Sequence, residues 1–350
     1  MQVNRALLQL AACIAAMACT SAGRSPGANT GGGGRVQPSA AGSAGDSCGG
    51  TAGSAGSSPA GATGAGGTAG AGGALGTGVA GSGEAGGMVG ALGGNGGGAS
   101  PAPQPSAGCG MTAPETPAQF VKHSLISSGV SRDFYTYLPA NYDKQKPYRT
   151  IFAFHPCGGS GSPSSNVPIQ NESKQDAIII APQSKGSCYE NQIRNSPDVI
   201  LFDDTLKYAE ANYCVDQSRV FAMGYSAGSW MSIILGCERG GTVRAHAQVS
   251  GGLPMFIRPG ADCRGNVAAL FIHDTLDPTN TYNGGVAARD RVLRVDRCGS
   301  DTMPWAPAPC QAYQGCKAGF PVVWCATTGN GHDRQDSLAP AAIWKFFSQF

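Results

Sequence analysis

The sequence predicts an α/β fold with a mostly parallel sheet covered by helices on both faces. Continuous apolar runs at 149–154 and 177–183 are typical of strands that are buried on both sides. A segment with helical spacing, 198–212, follows them, and alternation of strands and helices places the strands parallel. The third observation is the Gly-x-Ser-x-Gly motif at 224–228, which stands between an apolar run and a helical segment.

The composition divides the chain into three parts. No Phe, Trp or Tyr precedes Phe120, and aromatic residues dominate core burial, so the N-terminal third cannot form a packed core. We expect a signal peptide at 1–19 and a disordered linker rich in Gly, Ala and Ser at 20–106. Residues 107–350 have the length of a single α/β domain.

The first residues indicate export. Arg5 precedes a short apolar run that ends at Ala18, which is too short to span a bilayer. Cys13 and Cys19 each follow residues that resemble a bacterial lipoprotein cleavage box, so a lipid anchor at the membrane surface and free secretion are alternatives. Either places the protein outside the cell or on its surface.

Ten cysteines fall within the predicted domain, and an even number in an exported chain indicates disulfides. They are Cys109, Cys157, Cys188, Cys214, Cys237, Cys263, Cys298, Cys310, Cys316 and Cys325. No Cys-x-x-Cys occurs and no His stands near a Cys pair, so we expect no metal site. The sequence leaves the pairing open.

The other elements follow from the same patterns. Strands are predicted at 132–139, 245–252, 266–273 and 321–325, and a helix at 340–347 closes the chain. The acidic pair Asp203 and Asp204 is expected on the solvated face of the helix at 198–212.

Ser226, at the centre of the Gly-x-Ser-x-Gly motif, is the candidate nucleophile. A nucleophile elbow needs a sharp, strained turn, and Gly224 and Gly228 remove the side chains that would clash there. The amides that begin the following helix would point towards an oxyanion. Because the chain has 54 glycines, the motif alone is weak evidence, and its strand–turn–helix context carries the interpretation.

Two further groups complete a candidate triad. Asp277 and His332 each follow a predicted strand, and the order Ser, Asp, His is that of the α/β-hydrolase fold. His332 lies in a late glycine-rich loop, where the base belongs, whereas His155 and His273 end other strands. Asp274, three residues before Asp277, is the alternative acid.

The glycine-rich loop at 155–161 follows a central strand. In this architecture such a loop supplies the second oxyanion donor, although a plain glycine-rich turn is the alternative. A phosphate-binding loop is not expected, because no Gly-Lys-Ser/Thr follows.

The domain resembles the secreted esterases that include feruloyl esterases, acetyl xylan esterases and poly(3-hydroxybutyrate) depolymerases. The similarity extends over 109–350 and rests on the segments 154–159, 181–183, 213–216, 219–228, 288–291, 321–325 and 343–347. The resemblance implies that Ser226, Asp277 and His332 are catalytic, that the amides of Ala227 and Cys157 form the oxyanion hole, and that no cofactor or metal is needed. The chain departs from the family at Pro156, Asp274 and Ser229, where glycine is usual.

The resemblance implies a serine esterase that acts on a polysaccharide-linked or polyester substrate. We expect a feruloyl esterase acting on plant-wall xylan. A poly(3-hydroxybutyrate) depolymerase, an acetyl xylan esterase and a non-catalytic surface or carbohydrate-binding protein are the alternatives. The net charge of +2, with no basic run, argues against nucleic acid as a partner, and we expect a monomer.

Overall fold

The structure, a computed structural model, describes residues 102–191, 194–254, 257, 263–265 and 267–350. The predicted signal peptide, Cys13, Cys19 and the linker up to residue 101 lie outside the described residues. Contacts with the sheet begin before the predicted boundary at 107. The Gln104 amide donates to Asp216 Oδ1 over 2.9 Å, and the Ser106 hydroxyl donates to the Tyr213 carbonyl over 2.9 Å.

Ten strands in the described part of the chain form one sheet. They are β1 (Phe120–Ser127), β2 (Val130–Tyr137), β3 (Tyr148–Phe154), β4 (Ala177–Pro182), β5 (Val215–Tyr225), β6 (Val243–Val249), β7 (Ala268–Asp274), β8 (Thr302–Pro304), β9 (Cys310–Tyr313) and β10 (Val322–Thr327). Their order is β1-β2-β4-β3-β5-β6-β7-β10-β9-β8. The six from β4 to β10 are parallel and the flanking strands antiparallel, so the predicted mostly parallel sheet is confirmed.

Helices cover both faces of this sheet. They are α1 (Gln170–Ser173), α2 (Pro197–Asn212), α3 (Ala227–Glu238), α4 (Tyr282–Val295) and α5 (Ala339–Phe347). Successive side chains of a strand point to opposite faces. Ile151 of β3 accordingly joins a core cluster with α5, whereas Phe152 joins a second cluster with α2 and α3.

Five disulfides join all ten cysteines of the domain, which confirms the predicted disulfide framework. The pairs are Cys109–Cys214, Cys157–Cys188, Cys237–Cys263, Cys298–Cys316 and Cys310–Cys325. Such a framework is typical of proteins that fold in an oxidising compartment outside the cytosol. Among the residues that the structure describes, none of the helices has the length and apolar character needed to cross a membrane.

Candidate active site

Ser226 lies on a strained turn between β5 and α3. Its backbone has φ +55° and ψ −118°, a conformation that costs a non-glycine residue energy. The two flanking glycines make the turn possible. A Cβ on Gly224 would lie 2.2 Å from the backbone of Gly228, and one on Gly228 would lie 1.9 Å from the carbonyl oxygen of Phe154. Both distances are far below van der Waals contact, so the elbow requires glycine at both positions.

The first turn of α3 meets the end of β3, where the glycine-rich loop begins. Ala227 is the first residue of α3, so its amide has no intrahelical acceptor. Across from it, the amides of Gly158 and Gly159 donate to the carbonyls of Ser187 and Pro156. No acceptor for the Cys157 amide is found in the described part of the chain. The two predicted oxyanion donors therefore lie on adjoining segments, at the helix N-terminus and in the loop.

His155 and a disulfide hold this loop. His155 is fully buried, its Nδ1 donates to the Pro156 carbonyl over 2.7 Å, and its Nε2 accepts from the Ser184 amide over 3.2 Å. Burial lowers the pKa of His155, so the ring is neutral at ordinary pH. The Cys157–Cys188 disulfide joins the same two segments. His155 therefore shapes the loop.

The structure brings the three predicted triad side chains into one hydrogen-bonded chain. His332 Nε2 lies 2.9 Å from Ser226 Oγ, and His332 Nδ1 lies 2.9 Å from Asp277 Oδ2. The Asp277 side chain is fully buried, and its Oδ1 also accepts from the amides of Thr279 and Asn280. A carboxylate only accepts hydrogen bonds, so Nδ1 carries the proton and Nε2 is free to accept one from Ser226.

Two residues that the sequence analysis missed hold the segment that carries His332. The Tyr225 hydroxyl donates to the His332 carbonyl over 2.9 Å, and the Ser250 hydroxyl donates to the Asp333 carbonyl over 3.0 Å. Tyr225 is the last residue of β5 and Ser250 directly follows β6, so both lie at the carboxyl ends of neighbouring strands. Tyr225 is visible in the sequence as the residue before the nucleophile, but nothing in the sequence indicates its partner.

Asp274, the alternative acid, does not contact His332. Its Oδ1 accepts from the Leu276 amide and its Oδ2 from the Asn330 amide and the Thr327 hydroxyl. Burial raises the pKa of Asp274, but these hydrogen bonds lower it by more, so the pKa is below its usual value. His273 Nε2 lies 3.6 Å from Asp277 Oδ2. Burial lowers the pKa of His273.

A cleft, which we call the Trp230 cleft, lies between α3, the segment after β6 and the segment after Asp277, and Ser226 and His332 are not among the described residues that line it. Trp230 is one helical turn after Ser226, and the cleft also has Leu253, Pro254, Ile257, Thr279 and Asn280 in its walls. Its volume is about 490 Å³. Gly252 lets the backbone pack closely on the Trp230 ring, because a Cβ there would lie 2.8 Å from that ring. The cleft combines an aromatic wall with polar groups, as small-molecule sites usually do.

The chain resembles known proteins over most of its described length. It is 32% identical over 274 residues to "Feruloyl esterase D" of Neurospora crassa, covering 71% of this chain and 92% of that one. The chain belongs to the feruloyl esterase family. A "Probable feruloyl esterase C" of Aspergillus clavatus is 31% identical over 263 residues, with 69% of this chain and 90% of that one covered. No family model matches the chain.

Membership of the feruloyl esterase family makes the protein a carboxylic ester hydrolase. The solved structure of an acetyl xylan esterase from Aspergillus awamori has a TM-score of 0.53 and 14% sequence identity, over 66% of this chain and all of that one. At that identity the likeness concerns the fold, and it agrees with the predicted α/β-hydrolase fold.

Proposed function

We propose that this protein is a feruloyl esterase that releases hydroxycinnamoyl groups from plant-wall xylan, with Ser226, His332 and Asp277 as its catalytic residues. The observation that carries the proposal is the continuous hydrogen-bonded chain from Ser226 Oγ through His332 to Asp277, at 2.9 Å for each His332 contact. The curated relatives named feruloyl esterase support the choice of acyl group.

The reaction proceeds in two halves through an acyl-enzyme. Ser226 Oγ attacks the ester carbonyl while His332 Nε2 takes its proton, and Asp277 stabilises the imidazolium that forms. The amides of Ala227 and Cys157 donate to the oxyanion of the tetrahedral intermediate. As the bond between the acyl carbon and the sugar oxygen breaks, His332 gives the proton to that oxygen, which leaves as a hydroxyl. Water attacks the acyl-enzyme by the same route and regenerates Ser226.

The Trp230 cleft supports an aromatic acyl group. Its volume of about 490 Å³ is within the range of roughly 300–1,000 Å³ that drug-sized ligands occupy. An acetyl group, as an acetyl xylan esterase removes, would leave most of that volume unfilled. Trp230 offers a ring against which a phenolic ring can stack, and Thr279 and Asn280 offer polar groups for its substituents.

A comparison of three substrates tests the acyl preference. Methyl ferulate is expected to be hydrolysed with a higher kcat/KM than acetylated xylan, and amorphous polyhydroxybutyrate films should clear slowly. Trp230→Ala should lower kcat/KM for methyl ferulate about tenfold, equivalent to about 1.4 kcal/mol, and leave p-nitrophenyl acetate within about twofold. Trp344→Ala, on α5, is the matched control and should change neither. Rapid polyester clearing with slow methyl ferulate hydrolysis would favour the depolymerase alternative.

We also propose that the enzyme is exported, with a lipid anchor at Cys13 or Cys19. The apolar run after Arg5 and the five disulfides of the domain support export. Labelled palmitate fed to cells that express the full chain should appear in the protein and be lost in the Cys13→Ser, Cys19→Ser double variant. Unlabelled protein in the culture medium would instead indicate free secretion.

A further inference from the structure

Asp274 occupies a junction that the proposed reaction does not use. It is the last residue of β7 and pairs in register with Thr327, the last residue of β10. The residue has 0% of its surface exposed, so its carboxylate depends on protein donors for stabilisation. These two strands lead directly into the loops that carry Asp277 and His332.

Each oxygen of Asp274 holds a different loop. Oδ1 accepts from the amide of Leu276 over 2.9 Å, and Leu276 immediately precedes Asp277. Oδ2 accepts from the amide of Asn330 over 2.9 Å and from the Thr327 hydroxyl over 3.0 Å, and Asn330 lies two residues before His332. One carboxylate therefore holds the approach to the acid on one side and the approach to the base on the other.

We propose that Asp274 is a positioning residue that sets the separation of Asp277 and His332. The inference rests on the proposed catalytic roles of those two residues. A carboxylate suits this task because both of its oxygens only accept, and the donors of Leu276, Thr327 and Asn330 point at them. An amide in its place would turn an NH2 group towards one of the two loops, where a donor already stands. That loop would have to move, although the amide has the size of the carboxylate.

The test compares two buried aspartates that differ in location. Asp216 at the start of β5 also has a fully buried side chain and also accepts from backbone amides, those of Gln104 and Ser218. It stands at the other end of the strand from Ser226, about 20 Å away, since β5 from Val215 to Gly224 runs beside the six-residue step from Tyr148 to Phe154 at 3.3 Å per residue. Asp274→Asn and Asp216→Asn should therefore both lower Tm, whereas only Asp274→Asn should disturb the reaction.

We expect Asp274→Asn in the full chain to lower kcat for p-nitrophenyl acetate about 10²-fold with KM nearly unchanged, the cost of a misplacement of about 1 Å. Asp216→Asn should keep kcat within about twofold, because sites that far apart act independently. The proton NMR signal of the His332 Nδ1–H, held by Asp277, should shift or broaden in the first variant and stay in the second.

A folded Asp274→Asn enzyme with wild-type kcat and an unchanged His332 signal would overturn the proposal. Should that variant fail to fold, Thr327→Val decides, since it removes one donor and keeps the carboxylate. The loss of about 1 kcal/mol of hydrogen bonding there should lower kcat about fivefold, and an unchanged kcat contradicts the proposal. Ser226→Ala in the same assay separates the two ideas: full activity in that variant refutes the proposed catalytic site, whatever Asp274 does.

Discussion

The Tyr225 hydroxyl donates to the backbone carbonyl of His332 over 2.9 Å, and the two rings lie 5.2 Å apart. The residue before the proposed nucleophile thus holds the residue proposed as its base. Burial raises the pKa of Tyr225, so its hydroxyl keeps the proton that it donates. Nucleophile and base are connected through the backbone as well as through their own hydrogen bond.

Tyr225→Phe should lower kcat about five- to tenfold, because one hydrogen bond of about 1 kcal/mol no longer holds the His332 segment. KM for small esters should change little, and Tm should fall slightly. Steady-state kinetics on methyl ferulate and thermal melting measure both effects. Tyr137→Phe, on β2 between β1 and β4, is the control. A wild-type kcat in Tyr225→Phe would show that Ser250 and the neighbouring loop suffice to place His332.

Ser226→Ala and Asp277→Asn address the proposed reaction directly. Ser226→Ala should abolish nearly all ester hydrolysis, and Asp277→Asn should lower turnover by about 10⁴-fold, since an amide leaves the imidazole in the wrong tautomer. Both proteins should fold, and a chelator should not inhibit the wild type. Turnover is measured with methyl ferulate and folding by circular dichroism. A larger loss in Asp274→Asn than in Asp277→Asn would mean that the acid has been misassigned.

The fold was predictable where burial is complete. The central strands β3, β4 and β7 are continuous apolar runs, and their predicted limits differ little from the observed ones. The helix α4 was missed because it carries charged residues such as Arg289 and Asp290 and has two glycines in its first turn. Its one signal was Thr281, whose hydroxyl caps the helix by accepting from the Gly284 amide.

The same distinction applies to the candidate site. Ser226, Asp277 and His332 were found because a motif and the chain order point to them. Tyr225, Ser250 and the holding role of Asp274 were not, because each acts on a backbone group far away in sequence, 107 residues for Tyr225. Local patterns carry information about neighbours in the chain, whereas these contacts depend on the order of strands in the sheet.

The N-terminal third should be dispensable only as far as the residues that precede Gln104. A chain that starts at Ala102 keeps the Gln104 and Ser106 hydrogen bonds to Asp216 and Tyr213, and it should match the full chain in kcat and Tm. A chain that starts at Gly108 loses them and exposes Asp216, so its Tm should fall by about 4 °C or more, at about 1 kcal/mol per hydrogen bond. Equal melting of the two shortened chains would show that these contacts add nothing to stability.

Acid should destabilise the fold through buried neutral histidines. Burial lowers the pKa of His246 from 6.5 to about 3, and burial also lowers the pKa values of His155 and His273. The unfolded chain therefore binds protons near pH 6.5 that the folded chain does not bind, and the free energy of unfolding decreases as pH falls from 6.5 towards 3. Above that range the three rings are neutral in both states and contribute no pH dependence.

His246→Leu isolates one of these protons. The His246 ring is fully buried and packs against Phe271, with Arg291 and Asp296 lining the same small cavity, so leucine replaces it at similar volume. Between pH 6.5 and 4.5 the wild type should lose about 2 kcal/mol through His246 alone, and the variant should be spared that loss. Urea unfolding of both proteins at both pH values measures the difference. Parallel pH profiles for His246→Leu and wild type would mean that His246 is already protonated in the folded protein.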